Sequence, residues 1–72
     1  MDLNALLYAH IQELQKHFDG TVHITVDCYT YQDGSTAIEY EASVYYEDGS
    51  SDRAGGHETV DEAKRQLVKK AG

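Results

Sequence analysis

This sequence has no proline, no tryptophan, one cysteine and one phenylalanine, and its six lysines and arginines face thirteen aspartates and glutamates. Each shortage excludes something. Without proline, a repeat or a low-complexity stretch there is no sign of a linker, and 72 residues make one domain spanning 1–72. Cys28 has no second thiol to pair with, and on the apolar side of a strand it reads as a small buried hydrophobe in a reducing compartment. Apolar residues recur periodically and never run on for the roughly 20 positions of a membrane span. The start of the chain lacks the basic region of a signal peptide, so a cytoplasmic protein is expected. A chain this short buries only about 60 % of its unfolded surface, which limits it to one small core.

Groups that carry chemistry are equally scarce. His10 and His17 lie seven positions apart, two helical turns, and no thiol or carboxylate completes a ligand set around them. His23 and His57 are no better supported, so neither a metal nor a cofactor is expected. Cys28 is the one candidate nucleophile, but strand alternation turns it and His23 to opposite faces. An enzyme is therefore not expected.

What the chain does have is a hairpin. Residues 22–31 and 36–47 are rich in β-branched and aromatic side chains, alternate in polarity, and flank Gln32-Asp33-Gly34-Ser35. With a period of two, Val22, Ile24, Val26 and Cys28 share one face with Ile38, Tyr40, Ala42, Val44 and Tyr46. The opposite face carries His23, Thr25, Asp27, Tyr29 and Tyr31 against Glu39, Glu41, Ser43, Tyr45 and Glu47. Both apolar sets reach one core only if paired residue numbers sum to an even number, which excludes a two-residue loop. A loop of Gln32-Asp33-Gly34, with Gly34 left-handed in a bulge, pairs Val26 with Tyr40 and sets Asp27 opposite Glu39. A loop of Asp33-Gly34-Ser35 sets Asp27 opposite Glu41 instead. Either register puts carboxylates face to face, at a cost of roughly 0.2 to 1 kcal/mol.

The flanking segments read as two helices and a further strand. Leu3, Leu6, Leu7, Ile11, Leu14 and Phe18 recur at helical intervals behind Asp2 or Asn4 as a cap, and Asp19-Gly20 ends the run, with Gly20 suited to the left-handed position beyond a helix. After a second Asp-Gly turn, residues 51–56 make a third antiparallel strand, with Ala54 inward and Arg53 outward near the carboxylates of its neighbour. Thr59-Val60-Asp61-Glu62 is a capping box, and Val60, Ala63, Leu67, Val68 and Ala71 then form the buried stripe of a second helix. The expected fold is α+β, a three-stranded antiparallel sheet with two helices packed on one face in the order α-β-β-β-α.

Charge divides this plan unevenly. Residues 19–58 hold nine acidic residues against Arg53 alone, a local charge of −8. Such a field repels phosphate backbones and attracts basic surfaces. Lys64, Arg65, Lys69 and Lys70 gather in the second helix, where the lysines at its end answer the helix dipole without any ligand.

The order α-β-β-β-α is similar to that of the double-stranded-RNA-binding domain, and the stretch Ile38 to Ala71, with Ala54-Gly55-Gly56 before the helix start Thr59 to Lys64, resembles that family's C-terminal half. That family contacts phosphate with a lysine-rich helix start, whereas the matching positions here are Asp61 and Glu62; its first hairpin loop offers a His after Gly-Pro, and residues 32–35 offer neither. In size and acidity the chain also resembles the small inhibitors of phages and mobile elements, anti-CRISPR proteins and DNA mimics among them. That resemblance implies a partner protein with a basic, nucleic-acid-binding surface, and no direct contact with nucleic acid or membrane. The expected contact residues are Asp27, Glu39, Glu41 and Glu47 as phosphate-like charges, with Tyr29, Tyr31 and Tyr45 as rigid anchors. An ordinary solvated sheet face has the same alternation. A degenerate RNA-binding domain and a self-associating structural protein, dimeric through its first strand, are the alternatives.

Overall fold

A computed structural model describes residues 3–71. The chain runs α1 (Leu3–Gln15), β1 (Thr21–Thr30), β2 (Thr36–Tyr45), β3 (Ser51–His57) and α2 (Val60–Ala71), an α+β fold whose antiparallel sheet has the order β1-β2-β3.

One turn, used twice, sets the sheet. In the first, Gly34 N donates to Tyr31 O at 3.0 Å and Tyr31 N to Ser35 O at 2.8 Å, while the Asp33 carboxylate accepts from the Ser35 amide at 2.9 Å and its hydroxyl at 2.6 Å. Gly34 sits at φ 89°, which a side chain would resist, so the loop is Gln32-Asp33-Gly34 with the expected bulge. Tyr46, Asp48, Gly49 and Ser50 repeat this arrangement between β2 and β3. The resulting register pairs Val26 with Tyr40, Ile24 with Ala42 and Asp27 with Glu39. On the other side of β2, Ala42 pairs with Ala54 but Tyr40 with His57, so a bulge at Gly55-Gly56 faces Glu41.

Both helices lie on one side of this sheet. Leu14 of α1, Val22 of β1, Ala42 and Val44 of β2, Ala54 of β3, and Ala63 and Leu67 of α2 form one buried cluster, with Ile11, Phe18, Ile24, Tyr40, Tyr46 and Val68 packed around it. The cover is incomplete. Helices of 13 and 12 residues span roughly 20 Å, but ten-residue strands span roughly 33 Å. The far end of the hairpin therefore projects past them. Cys28 is exposed and Ile38 is 53 % exposed, which corrects the expectation of a buried Cys28. Alternation set the side these residues face; helix length decided that nothing covers them.

The ends of the helices need further correction. α1 stops at Gln15, and Phe18 packs on the core from the connecting segment. The Gln15 side-chain amide donates to Gly20 O at 2.6 Å and so ties that segment back to the helix end. Gly20 has no positive φ; its role is close approach, since a Cβ there would lie 2.7 Å from Tyr45 O and 2.9 Å from a Val44 methyl. Asn4 lies within α1, and a cap from Asp2 falls outside the described residues. In α2, Glu62 N donates to the Thr59 hydroxyl at 3.1 Å as a capping box requires, but the Glu62 carboxylate accepts from Arg65 and Gln66 instead of reaching back. Ala71, expected on the buried stripe, is exposed, and Lys64 takes an inward place at 7 % exposure.

Candidate functional site

The sheet face opposite the helices carries every residue singled out as a contact except Glu47. Asp27 stands directly across from Glu39, as the bulged loop requires. Glu39 also accepts a hydrogen bond from the Tyr29 hydroxyl, and the Tyr31 hydroxyl lies 3.3 Å from that of Tyr29. The two rings meet edge to face, with centroids 5.2 Å apart and planes at 79°. Edge-to-face pairs of this kind are worth about 0.5 to 1.5 kcal/mol beyond the area they bury. The hydrogen bond to Glu39 holds the Tyr29 phenol well above its ordinary range, with the contact to Tyr31 adding to it.

Glu41 belongs to a different local arrangement. Arg53, facing outward from β3, forms an ion pair with its carboxylate, with Nε 2.8 Å from the oxygen. The bulge makes room for this side chain, since a Cβ on Gly55 would lie 3.2 Å from the Glu41 carboxylate. Glu41 is thus locally neutralised, whereas Asp27 is exposed beside it on the same face.

Toward the other end of β2 the surface changes. Tyr45 lies roughly 20 Å along the strand from Glu39 and packs edge-on against His23, with centroids 5.0 Å apart. Ser43, between His23 and Arg53 in the central strand, is only 3 % exposed. Its larger neighbours close over it. Glu47 leaves the sheet altogether and sits in the second turn. There it joins Gln15, Asp19, Gly20, Thr21, Tyr45 and Tyr46 around an open cleft of about 670 Å³.

The seven residues therefore form two groups. Asp27, Tyr29, Tyr31 and Glu39 cluster at the hairpin tip, Tyr45 and Glu47 lie at the opposite end, and Glu41 stands between them, held by Arg53. Periodicity placed all seven on one face, of which the structure keeps six because β2 ends at Tyr45, and it could not measure their separation along that face. The cleft had no signal in the sequence, because three separate segments supply its lining.

Comparison with known proteins adds no template. No family model, curated protein or solved structure gives a significant match to this chain.

Elsewhere, Lys64 is held between the helices. Its ammonium lies 2.8 Å from the Glu13 carboxylate, 2.8 Å from His10 Nδ1 and 3.6 Å from Asp61. The hydrogen bond and charge of Lys64 keep the Glu13 carboxyl below its usual range. On the helix-bearing side the Tyr46 hydroxyl donates to Asp52 at 3.1 Å, and partial burial followed by this bond raises its pKa. Among the described residues, no group of three or more His, Cys, Asp or Glu could hold a metal, and no helix is long and apolar enough to cross a membrane.

Proposed function

We propose that this protein is a small acidic interaction module, an inhibitor of the nucleic-acid-mimic or anti-CRISPR type. It applies its open sheet face to the basic surface of a protein complex that handles nucleic acid. The observation that carries this reading is the Asp27–Glu39 pair with Tyr29 and Tyr31 beside it. Two carboxylates directly opposite one another destabilise a free sheet, but against a lysine- or arginine-lined groove the same pair is stabilising. The tyrosines add flat, rigid area of the sort that anchors interfaces. The local charge of −8 over residues 19–58 steers encounter with a cationic partner.

The test is affinity capture from a bacterial lysate, with wild type beside an Asp27→Lys, Glu39→Lys variant. This pair is preferable to any change at Glu41, which would also release Arg53. Recovery of a basic nucleic-acid-binding complex by wild type alone is the expected result. Equal recovery by both proteins would remove the hairpin tip from the contact, and no recovery by either would leave the face as solvation.

A second reading, a degenerate duplex-RNA-binding domain, draws on the α-β-β-β-α order. Its basic footprint is thin. Lys64 is buried against Glu13 and Arg65 is paired with Glu62, which leaves Lys69 and Lys70 as the exposed lysines of α2. Titration with duplex RNA at low salt separates the two readings, because phosphate contacts strengthen as salt falls.

A further inference from the structure

Among the described residues, nothing pairs with the outer edge of β1. The strand is ten residues long, lies at the end of the sheet and has no proline or bulge to discourage pairing. Just past the end of β1, Tyr31 N–H meets Ser35 O across the hairpin, so alternation turns the odd-numbered residues of β1 toward β2 as well. Val22, Ile24, Val26 and Cys28 then direct their N–H and C=O groups to the open edge. Beside that edge, on the helix-bearing side, the exposed Cys28 and Ile38 lie beyond the reach of the helices.

We propose that the protein forms a homodimer in which β1 pairs antiparallel with β1 of a second copy about a two-fold axis at Thr25, making one six-stranded sheet. Like faces must adjoin, so the axis has to pass through a residue pair and not between two pairs. The middle of the strand offers Thr25 or Val26. An axis at Thr25 sets Asp27 opposite His23 of the second copy, twice, and gives each carboxylate an imidazole across the strand boundary. It also sets Ile24 opposite Val26 and Val22 opposite Cys28. Val22 is buried beneath α1 and its neighbours, so the covered end of each strand comes to lie beside the bare end of the other. An axis at Val26 would face Asp27 with Thr25 and His23 with Tyr29, and that polar pairing would be lost. An axis at Asp27 would oppose two like charges. The open face stays exposed in this dimer, but Asp27 serves both readings; cross-linking at Thr25 needs no partner protein and so tests the dimer alone.

Sedimentation of the wild type and thiol cross-linking test it together. In a Cys28→Ser background, Thr25→Cys stands next to its own copy at the axis, while Thr21→Cys lies roughly 27 Å from its copy along the paired strands. A dimer mass for the wild type, with a disulfide-linked dimer under mild oxidation for Thr25→Cys and none for Thr21→Cys, is the expected outcome. His23→Asp should weaken association roughly tenfold, and adding Asp27→His should restore it, with circular dichroism confirming that both variants fold. A monomer mass at the highest concentration reached, equal cross-linking at both positions, or a charge swap that restores nothing would overturn the proposal.

Discussion

Asp27 and Glu39 face each other across β1 and β2 on the uncovered side of the sheet, and the Tyr29 hydroxyl bonds to the second of them. Glu39→Gln removes one charge and keeps an acceptor for Tyr29. It is expected to raise stability by about 0.2 to 1 kcal/mol in urea unfolding, with the gain shrinking at high salt. An unchanged or lower midpoint would mean that the pair is already compensated within the monomer.

The same contact makes an alkaline prediction. Tyr29 ionises above its ordinary value of 10.0 because its proton is held by Glu39 first and by the contact with Tyr31 second. A raised folded pKa means the stabilisation is complete below about pH 10 and is lost as pH rises through the folded value. Following the Tyr29 ring resonances by NMR should show late ionisation in the wild type and ionisation nearer the ordinary value in Glu39→Gln.

Acid acts on the turns and the inter-helix contact. The hydroxyl and amide of Ser35 lower the Asp33 pKa from 3.8, and Ser50 does the same for Asp48. Lys64 lowers that of Glu13 from 4.5. These groups bind protons more readily in the unfolded chain. Their contribution is therefore fully present above the ordinary values and is lost as pH falls through the lowered ones. The melting temperature should hold steady above about pH 5 and fall below about pH 4, less steeply in an Asp33→Asn, Asp48→Asn variant.

Two glycines should fail for different reasons. Gly20→Ala forces a methyl against Tyr45 O and Val44 in packed surroundings, at about 1 to 3 kcal/mol. Gly34→Ala has open space around it but must hold φ near 89°, at about 1 to 2 kcal/mol. Enlarging the pocket with Val44→Ala should rescue part of the first cost and none of the second, as thermal unfolding of the double variants would reveal.

Much of the fold was legible because its rules are local. The parity argument depended only on which side chains had to share a core, and it led to a three-residue loop with Asp27 opposite either Glu39 or Glu41; the structure selects Glu39. Ala54 inward, Arg53 outward near the carboxylates of β2, and Thr59 as the cap of α2 followed from alternation and hydrogen-bonding capacity in the same way. The candidate site was legible only as a list of residues sharing a face. Its division into a tip group and a distant Tyr45–Glu47 group depends on strand length and on where β2 gives way to its turn.

By itself the sequence determined the order of elements, the parity of the hairpin register and the sign of the field over the sheet, since each follows from spacing, turn chemistry or charge along the chain. Tertiary structure alone decided which parts of that plan are covered. Two short helices leave Cys28 and Ile38 bare, larger neighbours bury Ser43 on the nominally solvated face, and the gap between the helices takes in Lys64 with Glu13 and His10. Burial depends on the relative lengths and positions of elements far apart in the chain, and no local pattern encodes those.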